Sequence, residues 1–202
     1  MDPGIPDITG FLKNMNQNKI IIITAPSGAG KTTIVHYLLK KYPHQLSFSV
    51  SATTRPPREN EQNGKDYYFL SNEIFQQKIQ HNEFVEWEMV YEGKYYGTLQ
   101  AELERIWKTG KIPVLDIDVK GALHIQRRFP ESSFSVFIQP PSVKELKNRL
   151  ESRGTETSES LEARVNKASY ELSFKNHFNY TIINNRLEDA CREAERIIAP
   201  IL

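Results

Sequence analysis

The stretch Ile20–Ile34, reading I-I-I-I-T-A-P-S-G-A-G-K-T-T-I, constrains the fold more than any other part of the chain. Its β-branched run, Ile20–Thr24, reads as a buried strand. The run feeds a glycine-bearing turn, and Lys31, Thr32 and Thr33 then open a helix. Strand, tight loop and helix N-terminus in that order make a phosphate cradle, because loop N–H groups converge on oxyanions and the helix end adds positive potential. In such a loop the lysine reaches the terminal phosphates and the next hydroxyl ligates Mg²⁺, roles that fall here to Lys31 and Thr32. Ala25 stands where the full pattern opens with glycine, whereas Gly28 and the triplet Gly30-Lys31-Thr32 are intact. A helix that merely uses a glycine for packing is the bland alternative. The buried strand before the loop and the helix after it favour a nucleotide phosphate site.

Further along, apolar strands alternate with helical patterns, which argues for an α/β fold with a mainly parallel sheet flanked by helices. Strands are expected at Ile20–Ala25, Leu46–Ser51, Ile112–Asp116, Ser133–Gln139 and Tyr180–Asn184. Helices are expected near Thr32–Lys41, Leu99–Thr109, Gly121–Arg128, Ser142–Ser152, Ser160–Phe174 and Leu187–Ile198, with Pro141-Ser142 and Asn185 as helix starts. Residues 51–97 break the rhythm: short aromatic strands (Tyr67–Leu70, Phe84–Val90, Lys94–Gly97) surround one short helix near Asn72–Gln80, which reads as a small inserted β-rich lobe. Residues 153–160, R-G-T-E-T-S-E-S, read as a mobile flap between two helices.

Composition narrows the partners. The chain has 202 residues, 39% of them hydrophobic, enough for one substantial core with an inserted lobe. A net charge of +1 gives no global pull toward nucleic acid or anionic membrane. The single cysteine, Cys191, excludes an internal disulfide and reads as a packing residue in a reducing compartment. No stretch has the length and apolarity of a membrane span, and the polar segment 1–18 lacks the makeup of a signal peptide. That segment reads as a loosely held tail in which Phe11 and Leu12 dock, and the expected location is the cytoplasm. A homo-oligomer is compatible with all of this.

Four further clusters carry chemistry. In S-V-S-A-T-T-R-P-P-R (Ser49–Arg58) two prolines hold Arg55 and Arg58 at a set spacing, and forked guanidiniums bind phosphate bidentately. A second phosphate-recognising element beside a phosphate loop suggests an enzyme that moves phosphoryl between two phosphate-bearing substrates. In N-G-K-D-Y-Y-F (Asn63–Phe69) a tyrosine hydroxyl is available to an anion. In E-F-V-E-W-E (Glu83–Glu88) strand alternation puts Phe84, Glu86 and Glu88 on one face and Val85 and Trp87 on the other. A carboxylate beside aromatics suits guanine, whose N1–H and 2-amino group both donate along one edge, whereas adenine has no such pair. In V-L-D-I-D-V-K-G (Val114–Gly121) a buried strand ends in Asp116 and Asp118, at the place where open α/β sheets bind ligands. One of them belongs near Mg²⁺ and the phosphates and the other faces the acceptor; Asp118 can also cap a helix. Last, Arg149, Arg153 and Arg164 stand on a basic helix–flap–helix segment, suited to neutralising charge as a lid closes.

Taken together, A-P-S-G-A-G-K-T, S-V-S-A-T-T-R-P-P-R, N-G-K-D-Y-Y-F, E-F-V-E-W, Y-Y-G-T, L-D-I-D-V-K-G and R-L-E-S-R-G-T-E-T resemble guanylate kinase in its single-domain bacterial-type form, from about Lys19 to the C-terminus. The resemblance implies a P-loop NTPase core (19–50, 102–142 and 170–202), a GMP-binding lobe (51–101) and a helical lid (143–169). It implies transfer of phosphoryl from ATP to GMP with Mg²⁺. Carried over by position, Ser51, Glu86, Thr98 and Asp118 would read guanine, with Gly97 and Asp116 beside them, while Arg55, Arg58, Tyr67 and Tyr96 would hold the GMP phosphate. Ala25, Pro26, Ser27, Gly28, Ala29, Gly30, Lys31, Thr32 and Thr33 would bind ATP with Arg153, and Asn184 would lie near the adenine. Thr32 would ligate Mg²⁺, and Lys31, Arg55, Arg149 and Arg164 would be catalytic. Lys120 stands where the family usually has glutamine, and Asn185-Arg186 where two aspartates are frequent. Two other readings stay in play: a kinase for a different acceptor, and a scaffold-type binding module, which typically has an eroded phosphate loop.

Overall fold

The computed structural model describes residues 18–152 and 158–202. Its centre is β1 (Ile20–Thr24), whose five residues are all buried. Strand β1 lies between β7 (Ile112–Ile117) and β8 (Ser133–Gln139). With β2 (Leu46–Phe48) and β9 (Tyr180–Ile183) they form a five-stranded sheet in the order β2-β7-β1-β8-β9, and every pairing is parallel. Alternation along β1 then builds two cores at once. Ile21 and Ile23 pack into one cluster with Leu38 of α1 (Lys31–Lys41), Leu146 of α5 (Val143–Glu151) and Ile197 of α7 (Leu187–Ile198). Ile20 and Ile22 join Leu103 of α3 (Gln100–Trp107) and Ile125 of α4 (Val119–Arg128) on the opposite face. Burying each such side chain contributes roughly 1.5–3 kcal/mol, so the isoleucine run fixes β1 as the central strand. Cys191 is buried in the first cluster.

A second sheet, in the order β4-β3-β6-β5, joins β3 (Ala52–Thr53), β4 (Tyr68–Phe69), β5 (Phe84–Tyr91) and β6 (Lys94–Leu99). It is mixed: β3 and β4 run parallel, and the other pairs are antiparallel. Helix α2 (Asn72–Gln80) covers it, capped by Ser71 and pinned by Phe75, whose ring stacks on Phe84 at 4.4 Å. Helix α6 (Ser158–Leu172) packs against α5.

Several expectations shift. Strand β2 ends at Phe48 because the Val50 N–H turns away to a side chain. Ser142 caps α5 as expected, but α7 starts from Arg186, whose side chain makes no cap bond, so Asn185 is not the cap. The expected face of β5 holds only in part. Phe84 and Val85 go to opposite cores, but a register shift between Phe84 and Glu86 sends Glu86 over Gly121 and leaves Trp87 beside Phe84 at Gly97. Of the tail at 1–18 and the flap at 153–160, residues 1–17 and 153–157, Arg153 included, lie outside the described residues, while 158–160 already belong to α6.

Candidate active site

The phosphate-loop end of the site lies at the carboxyl ends of the parallel strands β1 and β7. The loop after β1 turns through Gly28 and Gly30, both with φ near +90°. At Gly30 a side chain would also run into the Asn184 amide, so the position requires glycine on two counts. No side chain caps α1, and the unpaired N–H groups of its first turn are left for an anion. Ala25 is buried against the core, an apolar role that a leading glycine would not fill.

Lys31 forms an ion pair with Asp116, and the Thr32 hydroxyl donates to the other oxygen of the same carboxylate at 3.0 Å. Asp116, grouped by sequence with the GMP-binding residues, is thus held at the phosphate loop. Its register explains this: Asp116 lies beside Ile23 of β1, one residue before the strand delivers the loop. Burial lowers the Lys31 ammonium to about 8, with Asp118 and Glu171 pulling the other way. Asn184, at the end of β9, donates its amide to the Ala29 carbonyl at 2.8 Å, and its own side-chain oxygen is buried without a partner. Arg149 spans from Glu145 (3.0 Å) to the Asn184 carbonyl (3.1 Å), which sets it against the same loop. Arg164, Lys167 and Glu171 recur at helical spacing on α6, and Glu171 is buried.

The acceptor candidates collect on the second sheet and the start of α4. Glu86 is 7% exposed and accepts from the Thr98 hydroxyl at 2.7 Å. Asp118 caps α4, accepting from Gly121 N–H at 2.9 Å. The two carboxylates meet over Gly121, where a methyl would lie 2.8 Å from Glu86 Oε2 and 3.3 Å from Asp118 Oδ1. Burial raises the Glu86 carboxyl to about 7; the Thr98 hydrogen bond opposes this, and Asp118 and Glu88 add to it. Burial likewise raises Glu171 to about 7, against the pull of Lys167, with Asp118 adding to the rise. A cleft of about 590 Å³ runs past Glu86, Trp87, Glu88 and His124. A smaller cavity of about 160 Å³ joins Asp118 and Lys120 to Lys167 and Glu171.

Arg55 sits over the Tyr67 ring at 5.3 Å, and the Tyr67 and Tyr96 rings lie 6.0 Å apart. Both Arg55 terminal nitrogens are held by Glu61 at 2.8 Å, and the Arg58 N–H donates to the same carboxylate. The Arg58 residue itself is exposed. Gly97 is buried, and a methyl there would lie 2.8 Å from the Glu86 carbonyl oxygen, so close packing of β5 on β6 requires glycine. Ser51 lies where the chain crosses between the sheets.

Three acidic residues of this region escape a sequence reading. Glu61 is one acid in a polar loop, and Glu102 three residues before Arg105 looks like an ordinary surface pair. Glu171 offers the one usable signal, an acid three residues after the apolar Ala168 and seven after Arg164 in a helical pattern.

Hard oxygen donors suit Mg²⁺, which takes one or two carboxylates and keeps its other positions for phosphate oxygens and water. The Thr32 hydroxyl and the Asp116 carboxylate, converging at the loop, fit that demand.

Comparison with known proteins shows the family of the chain. A family model described as guanylate kinase matches residues 17–200. A guanylate kinase of Bacteroides fragilis is 48% identical over 184 residues, covering 91% of this chain and 90% of the relative. One from Porphyromonas gingivalis is 45% identical over 91% of this chain and 98% of its own length. A crystal structure of guanylate kinase from Anaplasma phagocytophilum superposes with a TM-score of 0.72 at 28% identity, covering 93% of this chain and 88% of that one.

Proposed function

The chain belongs to the guanylate kinase family and phosphorylates GMP to GDP with ATP as donor, and we propose that it does so through the residues described above. The observation that supports this reading is a carboxylate couple, buried Glu86 and half-buried Asp118, meeting over Gly121, in a chain whose phosphate loop holds Lys31 against Asp116 of the strand just before Asp118. In this scheme residues 51–101 form the acceptor lobe, 143–169 a lid, and the rest from 19 onward the core. The reaction is placed in the cytoplasm: the free cysteine suits a reducing compartment. No helix among the described residues is long and apolar enough to cross a membrane.

Glu86 and Asp118 accept from the donor edge of guanine, and Thr98 fixes the Glu86 rotamer so that one oxygen remains for the base. Ser51 adds a hydroxyl beside them. Arg55, Arg58, Tyr67 and Tyr96 hold the GMP phosphate, with Glu61 keeping the Arg55 fork oriented until the phosphate arrives. The loop N–H groups and Lys31 bind the ATP phosphates, and Asn184 offers its unpartnered oxygen toward the base of the donor. Thr32 and Asp116 would hold Mg²⁺, which when bound would supply neutralisation of the phosphate charge.

A GMP phosphate oxygen is already anionic, so attack on the γ-phosphorus needs no strong general base. The bond to the ADP leaving oxygen breaks as the new P–O bond forms in line. What this chain supplies is alignment and positive charge, from Lys31, Arg55, Arg149, Arg153 and Arg164. ADP formation from ATP and Mg²⁺ with GMP, AMP, CMP or UMP as acceptor tests the assignment. Turnover with GMP alone is expected. Equal turnover with AMP would discard the carboxylate couple as the base reader, and no turnover by folded protein would leave only a binding module.

A further inference from the structure

Glu102 is buried, its side chain 1% exposed, yet it lies in none of the substrate-facing groups above. A buried carboxylate is costly unless its oxygens are fully engaged, and these are. Oε1 accepts from the Val50 N–H at 3.0 Å and from Arg105 at 2.8 Å. Oε2 accepts from the Tyr68 hydroxyl at 2.9 Å and from the Arg105 Nε at 2.8 Å.

The places of these partners matter more than their number. The chain leaves the five-stranded sheet after Ser49, whose N–H still bonds to Val114 of β7, and enters the second sheet at Ala52. Val50 and Ser51 are that outward crossing. The return crossing is the junction of β6 with α3, and Glu102 stands in the first turn of α3. One carboxylate therefore ties the outward crossing to the return crossing. It also reaches into the second sheet through Tyr68, whose own N–H donates to the Ser51 carbonyl at 2.9 Å. The result is a closed ring: Val50, Ser51, Tyr68, Glu102 and back to Val50. Two members of that ring meet the proposed acceptor contacts: Ser51 is itself one, and Tyr68 of β4 follows Tyr67.

We infer that Glu102 is a positioning residue for the acceptor site, setting the angle of the second sheet on the core and so the places of Ser51 and Tyr67. This rests on the acceptor site proposed above.

Steady-state kinetics of Y68F, E102Q and E102A, each with its Tm, tests the inference, with S51A and Y67F measured beside them. Y68F removes one hydroxyl from the ring, and E102Q keeps an acceptor for Val50 while losing the charge toward Arg105. Both are expected to raise the KM for GMP by about three- to tenfold, with the KM for ATP within about twofold. E102A should go further, so that glutamine partly rescues what alanine loses. A wild-type KM for GMP in folded Y68F and E102Q, while S51A and Y67F raise it, would overturn the positioning role alone. So would equal changes in both substrates' KM values in step with lost stability. If S51A and Y67F also leave the KM for GMP unchanged, the acceptor site is wrong and the inference falls with it. Should E102A fail to fold, Y68F and E102Q decide.

Discussion

At the phosphate loop, consecutive residues and one helix turn make the whole anion cradle, and a single distant carboxylate, Asp116, completes it. At the carboxylate couple, nothing is consecutive: Glu86 comes from β5, Thr98 from β6 and Asp118 from the cap of α4. Both ends bury a charge, with opposite consequences. Burial brings the Lys31 ammonium down to about 8 and the Glu86 carboxyl up to about 7. The lysine has a counterion within the fold, whereas Glu86 has a hydroxyl and a second acid. In the proposed scheme the donor end would take a polyanion beside an already paired cation. The acceptor end would offer its unspent acceptor capacity to a ligand rich in N–H donors.

The largest test of this contrast is at the donor end. K31A should lower kcat on the order of a thousandfold, in the range seen when one preorganised electrostatic group is removed. The KM for GMP should move little, because Lys31 does not touch the acceptor. Circular dichroism should show the fold intact. A K31A enzyme with near wild-type kcat would break the comparison at its stronger half.

The smaller test reads the strain at the acceptor end through stability. Glu86 binds its proton more tightly in the fold than in the unfolded chain, where its value is near 4.5. Between about 4.5 and 7 the folded protein holds more protons, so stability falls as pH rises, and above 7 the full cost is present. That cost is at most ~3 kcal/mol. E86Q removes it while still accepting from Thr98. The variant should melt several degrees above wild type at pH 8 and match it near pH 4, below the unfolded value. A pH-independent difference, or a variant less stable at pH 8, would deny that Glu86 is a buried carboxyl held at a cost.

How much of this is legible before folding follows from the same contrast. The isoleucine run and the loop after it are local, and strand periodicity carries them directly into β1 and α1. The division of labour between Asp116 and Asp118 is only half legible. Both sit at a strand end, but β7 stops at Ile117, and Asp118 turns away to cap α4 while Asp116 stays in register with Ile23. Alternation along β5 misleads because the register shift near Val85 breaks the period-two rule, sending Phe84 and Glu86 to different neighbours. Glu61 and Glu102 are invisible because their meaning lies in partners on other elements: the Arg55 fork, the Val50 N–H and the Tyr68 hydroxyl. Sequence reading finds ligands that sit side by side along the chain and loses those that only the tertiary crossing brings together.

The most direct test of the central claim, that the carboxylate couple reads guanine independently of the phosphate loop, is the E86Q/D118N double variant assayed at pH 8. Glutamine can still accept from Thr98 and asparagine can still cap α4, so the fold should survive. The KM for GMP should rise on the order of a hundredfold, as expected for the loss of two charge-assisted hydrogen bonds, while the KM for ATP stays within about twofold. An unchanged KM for GMP, or an equal rise for both substrates, would contradict it.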